Sequence, residues 1–293
     1  METTKKHDRG RVINPFTDWG FKYIFGREEN KDILKGFLNV LLKREVPIKD
    51  IIYLNNEHIG DDPDLKTCVF DVLCTDASGD RFLVEMQRVD QHNIQNRLLY
   101  YACRLIDEMG RRGDWDYELD RVFAICLMDF TYADAPVLRN DYLLKDAMTG
   151  RIFSDRLSII TLQIPCIHAK SLAECRESYE KCLFLLDAMR KGMKTFQEIC
   201  AEIEHEYTSE EVKAMLRRVA EAANVEQLSQ QDRLAYEYAL KRYRDYRGGL
   251  LTAEEKGAHK KQREIAKKMK TKGLALQDIV DCTGLSAEDV AAL

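Results

Sequence analysis

Apolar positions change their period along the chain, and the changes mark its elements. In NPFTDWGFKYIFG, Phe21, Ile24 and Phe25 fall on one side of a short helix that Thr17 or Asp18 can cap and Gly26 can end. Residues 30–43 repeat the helical spacing through Ile33, Leu34, Phe37, Leu38, Leu41 and Leu42, and Pro47 stops it. The period then shortens. Residues 48–57 read as a strand around Ile51, Ile52 and Tyr53, residues 60–66 as a loop, and residues 68–75 (CVFDVLCT) as a strand. A turn at residues 76–79 leads to a hairpin partner at residues 81–87 (RFLVEMQ). A long helix over residues 92–109 follows, then strand-length apolar runs at 122–128 and 157–164, the second closed by Pro165. From Ser171 onward the pattern is helical, with amphipathic stretches at 171–190, 195–204 and 209–247, and helix, turn, helix at the end, where Gly284 sits in the turn and Ser286 caps.

This order predicts an α/β fold, a mixed sheet flanked by helices with a helical C-terminal extension. The divisions that follow are a polar N-terminal tail at 1–13, a principal domain at 14–190, a helical extension at 191–250, and a basic helix with a helix-turn-helix-like tail at 251–293.

Composition narrows the class without naming a function. The 293 residues are 45% hydrophobic and 32% charged, as in a soluble globular protein. No apolar run approaches a membrane span, and METTKKHDRGRV carries no apolar leader, so a cytoplasmic protein with no membrane partner is expected. The nine cysteines show neither a C-x-x-C pair nor zinc spacing, which reads as buried thiols in a reducing compartment. A net charge of −5 does not advertise nucleic-acid binding, but DNA contact needs a local basic surface, not a basic average.

Candidate chemistry lies in the hairpin. Asp71 stands between Phe70 and Val72, and Glu85 between Val84 and Met86. Carboxylates in buried strands cost free energy, and two on adjacent strands repel unless a cation lies between them. A hard divalent ion such as Mg²⁺, with Mn²⁺ as a substitute, answers both problems, and two carboxylates with a backbone carbonyl suffice to hold it. Pairing around a turn centred on residue 78 sets Asp71 near Glu85, and alternation along the strand points Glu85 and Gln87 to one side. The bland alternative is an aspartate on a strand edge or a solvated face, which Thr75 and Asp76 favour and Phe70, Val72 and Leu73 oppose.

Asp, a hairpin, then Glu-x-Lys with Gln sometimes replacing the Lys, is the core of the PD-(D/E)XK nucleases. Across residues 14–165, NPFTDWGFKYIFG, the following helix and LKTCVFDVLCTDASGDRFLVEMQ resemble the Rpn family of recombination-promoting nucleases and transposases within that superfamily. The resemblance implies a restriction-endonuclease-like fold and a Mg²⁺-dependent endonuclease hydrolysing DNA phosphodiesters, acting in recombination or transposition. It implies that Asp71 and Glu85 bind the metal with the Met86 carbonyl, that Gln87 takes the position of the family lysine, and that Asp18 of the first helix is a fourth catalytic member. Gln87 cannot supply positive charge, although it can hold a water. The alternative is a catalytically inactive protein on the same fold, acting as a DNA-binding or protein-interaction module.

Other features leave two readings each. Arg97, Tyr101 and Arg104 share a helix face that can hold a DNA phosphate or pack over the sheet. Lys22 and Lys66 flank the acids and can touch phosphate, or are surface lysines. The loop bearing His58, Asp61, Asp62 and Asp64 can bind metal or be plain solvated charge. Residues 254–272 carry eight Lys/Arg against three Glu, suiting either phosphate binding or a solvated helix. The acidic terminal helices suit packing or homo-oligomerisation as well as DNA reading.

Overall fold

The computed structural model describes residues 10–58, 68–89, 93–110, 116–132 and 136–293. The chain forms two compact units, one ending at Tyr236 and the other spanning Glu237–Leu293. In chain order the first unit has helices α1 (Asp18–Phe25) and α2 (Lys31–Leu42), then strands β1 (Ile51–Tyr53), β2 (Glu57–His58), β3 (Cys68–Val69), β4 (Val72–Asp76) and β5 (Arg81–Gln87). Helix α3 (Ile94–Asp107) is followed by β6 (Val122–Met128), β7 (Arg139–Lys145) and β8 (Ile152–Gln163), and then by helices α4 (Ser178–Lys191), α5 (Phe196–His205) and α6 (Glu210–Ala222). Helix α7 (Gln230–Thr271) begins in this unit.

Six strands form one sheet in the order β1-β4-β5-β6-β8-β7, and β2 pairs with β3 in a separate ribbon. The β1/β4, β4/β5 and β7/β8 pairs are antiparallel, whereas β5/β6 and β6/β8 are parallel. The expected mixed sheet is therefore present, flanked by helices and followed by a helical C-terminal region. A parallel pair needs a crossover, and α3 supplies the one between β5 and β6. Its Ala102 and Leu105 pack with Leu73, Leu83, Val122 and Ala124, and its Ile94 and Leu98 pack with Cys126 and Met128. Neighbouring residues on a strand face opposite sides. Leu73 lies under α3, while its neighbour Val72 meets Gly26, the residue that caps α1. Helices α1 and α3 thus cover opposite faces around β4.

The β4–β5 turn is braced from outside. Arg44, just beyond α2, donates to Asp76 at 2.6 Å and to Asp80 at 2.8 Å. Asp76 Oδ1 accepts the Ser78 N–H at 2.9 Å inside the turn, and Gly79 takes φ +89°, a value that favours glycine.

Several elements depart from the pattern-based expectation. The strand expected over 68–75 is split at Phe70 and Asp71. Strand β7 has no counterpart among the expected elements, and β8 starts earlier than residue 157. The helix expected over 209–247 breaks into α6 and α7, with a short 3-10 turn at Val225–Gln227 between them. The end of the expected polar tail is anchored: Ile13 is fully buried and its N–H donates to the Ala223 carbonyl at 2.7 Å. The expected 60–66 loop and its three aspartates lie outside the described residues.

In the second unit, α7 runs on to Thr271 and is followed by α8 (Leu276–Thr283) and α9 (Ala287–Ala291). Ala266, Ile279, Leu285 and Val290 form its small apolar core. Gly284 adopts φ +69° between α8 and α9, and Ser286 Oγ accepts the Asp289 N–H at 3.0 Å, as the turn and cap in the sequence foretold. Among the described residues no helix is long and apolar enough to cross a membrane.

Candidate active site

The split in the expected strand creates the site. Tyr53 pairs with Cys74, and Glu57 pairs with Val69. Between these pairings one strand advances four residues and the other five, so the second strand carries one extra residue around Phe70 and Asp71. Such a bulge bends its strand and re-aims a side chain. Asn56 holds it from both sides: its carbonyl accepts the Phe70 N–H at 2.9 Å, and its Nδ2 donates to the Asp71 carbonyl at 3.1 Å.

The β4/β5 register is the one expected, with Val72 opposite Val84 and Thr75 opposite Arg81. Asp71 leaves the ladder but turns back to it through hydrogen bonds. Its N–H donates to Glu85 Oε1 at 3.1 Å, and its Oδ2 accepts the Met86 N–H at 2.9 Å. Gln87 Nε2 lies 3.4 Å from Glu85 Oε2, as side chains two apart on one strand should. Glu85 and Gln87 are only 4% and 8% exposed, so their polar groups lie in the interior and not on a solvated face.

Burial dominates the electrostatics. It pushes the Glu85 carboxyl up to about 8, and the nearby Asp71 charge pushes the same way, against the Asp71 N–H and Arg97. The Asp71 carboxyl is also raised, chiefly by burial, with Asp18 adding to the shift while the Met86 N–H, Lys22 and Arg97 oppose it. Beneath Glu85, at the matching position of β6, the Cys126 thiol is pushed far up by burial and by the Glu85 charge.

The remaining sequence candidates divide. Arg97 is near enough to favour the charged forms of both acids, and its guanidinium lies 5.9 Å from the Tyr101 ring centre. Arg104 on the same helix pairs with Asp107 at 2.9 Å. Asp18 and Lys22 sit on α1 as an exposed ion pair at 3.2 Å, within electrostatic reach of Asp71. Lys66 and the side chain of His58 lie outside what the structure describes. Asn56 is legible only in the structure, since a polar residue after a strand carries no signal of its own.

The partly buried Asp71 and buried Glu85 carboxyls both resist ionisation and form an oxygen donor set suited to a hard cation, which offsets the burial cost and the mutual repulsion. Asp71 and Glu85 are the residues that fit one. Among the described residues no group of three or more His, Cys, Asp and Glu side chains converges as a ready ligand set. A pair of carboxylates fits an ion that keeps several waters better than a closed structural site.

The chain matches no curated protein and no solved structure in these comparisons. The profile described as PD-(D/E)XK nuclease family transposase matches residues 15–253, which include α1, the whole sheet and the Asp71–Glu85 hairpin. Over most of its length, and through the hairpin that carries Asp71 and Glu85, the chain belongs to the PD-(D/E)XK nuclease family of transposases.

Proposed function

We propose that this chain is a DNA endonuclease that hydrolyses phosphodiester bonds with Mg²⁺, or Mn²⁺ in its place, held by Asp71 and Glu85 with the Met86 carbonyl, in the service of recombination or transposition. The observation that carries the reading is the pairing of partly buried Asp71 with buried Glu85, tied across one hairpin by hydrogen bonds to main-chain N–H groups. A bound divalent ion supplies polarisation of the scissile phosphate and acidifies an attacking water. The protein's part is preorganisation. The Met86 N–H fixes the Asp71 carboxylate, and the Asp71 N–H fixes that of Glu85, so neither must reorient as charge develops. Gln87 holds and orients a water through its amide, without the positive charge of a lysine. Arg97 contributes positive potential, Lys22 meets phosphate at the rim, and Asp18 works from α1.

Plasmid DNA incubated with the purified chain and Mg²⁺ or Mn²⁺ tests this reading. Wild type is expected to nick or linearise the plasmid. Asp71→Asn and Glu85→Gln are expected to lose about a hundredfold or more in rate while staying folded. Cutting that survives both substitutions would refute the assignment. The competing reading, a DNA-binding or interaction module that does not cut, draws on Gln87 at the lysine position and predicts binding without cleavage under every divalent ion.

A further inference from the structure

We infer that the exposed basic face of α7 in the second unit is a docking surface for the phosphate backbone of DNA, separate from the hairpin acids; the inference extends the endonuclease reading to how substrate is held. The chain as a whole carries −5, yet residues 256–272 hold eight Lys/Arg and one acid, Glu264. Lys256, Lys260, Arg263 and Lys267 are spaced four, three and four apart, so they share one helix face. With His259 they line a single open groove whose acidic members are Glu255 and Glu264. Lys267 continues into an adjoining groove with Lys268 and Lys272.

Several cations of the first unit are neutralised by acids. There, Arg44 is engaged by Asp76 and Asp80, Arg81 by Glu108, and Arg139 by Asp141. Among the described residues, Lys256, Lys260, Lys261, Lys267, Lys268 and Lys272 enter no ion pair within 4.0 Å. Lys270, three residues beyond Lys267 on the same stripe, is the member already engaged: it donates to the Val290 and Ala291 carbonyls at 3.1 and 2.9 Å, at the end of α9. The stripe therefore borders α9, where Asp289 lies within electrostatic reach of His259 and Arg263, while Lys256, Lys260 and Lys267 present cations without an ion pair along roughly 17 Å of helix.

An anionic membrane is a poorer fit than a nucleic acid. A membrane-surface helix needs an apolar face to bury in lipid. Here the apolar side of α7, around Ala266 and Met269, is already covered by Ile279, Leu285 and Val290. A rod of phosphates needs only spaced cations, and each lysine that replaces a condensed counterion adds to affinity and to salt dependence.

The test uses the full chain and a short fluorescent DNA duplex without divalent metal, so that binding is read apart from cleavage. The surface variant is Lys256→Gln with Lys260→Gln and Lys267→Gln, its fold checked by circular dichroism, and the Lys→Arg triple serves as the rescue. Affinity of the Gln triple is expected to fall at least about tenfold, and the log-log salt slope to flatten by about 2 to 3, while the Arg triple keeps both. Unchanged affinity and slope in the Gln triple would overturn the inference, as would a wild-type chain that binds vesicles of anionic lipid through these lysines but binds no duplex. Plasmid cleavage is scored separately. Binding that depends on the lysines without any cutting sinks the endonuclease reading and leaves the surface standing. Cutting by the Gln triple with unchanged KM and salt dependence does the reverse.

Discussion

Asp71 and Glu85 hold each other through the main chain: the Asp71 N–H donates to Glu85 Oε1 at 3.1 Å, and the residue after Glu85 donates its N–H to Asp71 Oδ2 at 2.9 Å. The two acids are thereby fixed at close range in a buried hairpin, where both carboxyls are raised and that of Glu85 reaches about 8. Such closeness is costly without a cation and useful with one.

The first prediction concerns pH. Glu85 binds its proton more tightly folded than unfolded, so between its ordinary value of 4.5 and about 8 the folded state carries more proton than the unfolded state. Stability of the metal-free protein should therefore fall as pH rises through that window, with the full penalty present above about 8. Glu85→Gln removes the titration. It should raise Tm relative to wild type at high pH, by about 2–4 °C for each kcal/mol relieved, and the difference should shrink toward pH 5. Divalent ion should bind wild type about tenfold more tightly for each pH unit gained below the Glu85 value, because one proton is displaced. Melting curves and metal titrations across pH check both, and a pH-independent difference between wild type and Glu85→Gln would count against the buried-acid account.

Gln87 offers a second test. Its Nε2 lies 3.4 Å from Glu85 Oε2 and the side chain is 8% exposed. Gln87→Lys sets a cation beside the raised carboxyl, which favours its charged form. The pH at which metal binding and cleavage reach half their plateau should move acidward by about one unit or more. Gln87→Leu, similar in size but without polar atoms, should leave that midpoint near the wild-type value and lower the rate. A pH profile of cleavage distinguishes them, and identical profiles for Gln87→Lys and wild type would show that Gln87 does not face Glu85 in solution.

The sequence pattern reached the hairpin because its register is written in local signals. A turn at Asp76–Gly79 and two alternating strands leave one way to pair, and Val72 opposite Val84 follows. The bulge at Phe70–Asp71 was hidden, since it arises from the unequal advance of two distant segments, 53–57 and 69–74. Strand β7 escaped because RNDYLLK is an exposed edge strand, so no apolar alternation marks it. The break between α6 and α7 falls in a stretch without Gly or Pro, where Asn224 forms its own cap by accepting the Glu226 N–H. The approach of Arg97 to the acids depends on how α3 lies across β6, which helical spacing alone does not encode.

Asn56 should matter more to metal binding than to folding. Its side chain makes one hydrogen bond to the Asp71 carbonyl, so Asn56→Ala costs about 1 kcal/mol of stability. The bulge it restrains aims the Asp71 carboxylate, and loss of an outer support of this kind typically lowers metal affinity about 10- to 100-fold. Calorimetric Mn²⁺ titration beside thermal melting reads the two effects separately. A variant with an ordinary small drop in Tm and wild-type metal affinity would show that the bulge is held without Asn56.

Gly20 is the position in α1 where a single methyl group should be most disruptive. A Cβ there would lie 2.4 Å from the Asn14 carbonyl oxygen, 2.6 Å from Thr17 Oγ1 and 2.9 Å from Ile13 Cγ2. None of these can yield cheaply. Thr17 Oγ1 accepts the Gly20 N–H at 2.9 Å and donates to the Asn14 carbonyl at 3.0 Å, and the Asn14 N–H is held by Tyr236 Oη at 2.9 Å. Ile13 and Thr17 are fully buried. Alanine's helix propensity favours the substitution by about 1 kcal/mol, but overpacking of a fixed main chain costs about 1–3 kcal/mol or more. Because α1 also carries Asp18 and Lys22 toward Asp71, the displaced helix should perturb the site as well as the fold. Gly257→Ala is the matched control: it lies within α7 with nothing inside 4 Å of the added Cβ, so only propensity acts and Tm should rise slightly. Gly20→Ala should instead lower Tm and reduce cleavage more than its stability loss explains. A rise in Tm equal to that of Gly257→Ala would mean that the contact between Gly20 and the Asn14 turn does not constrain α1.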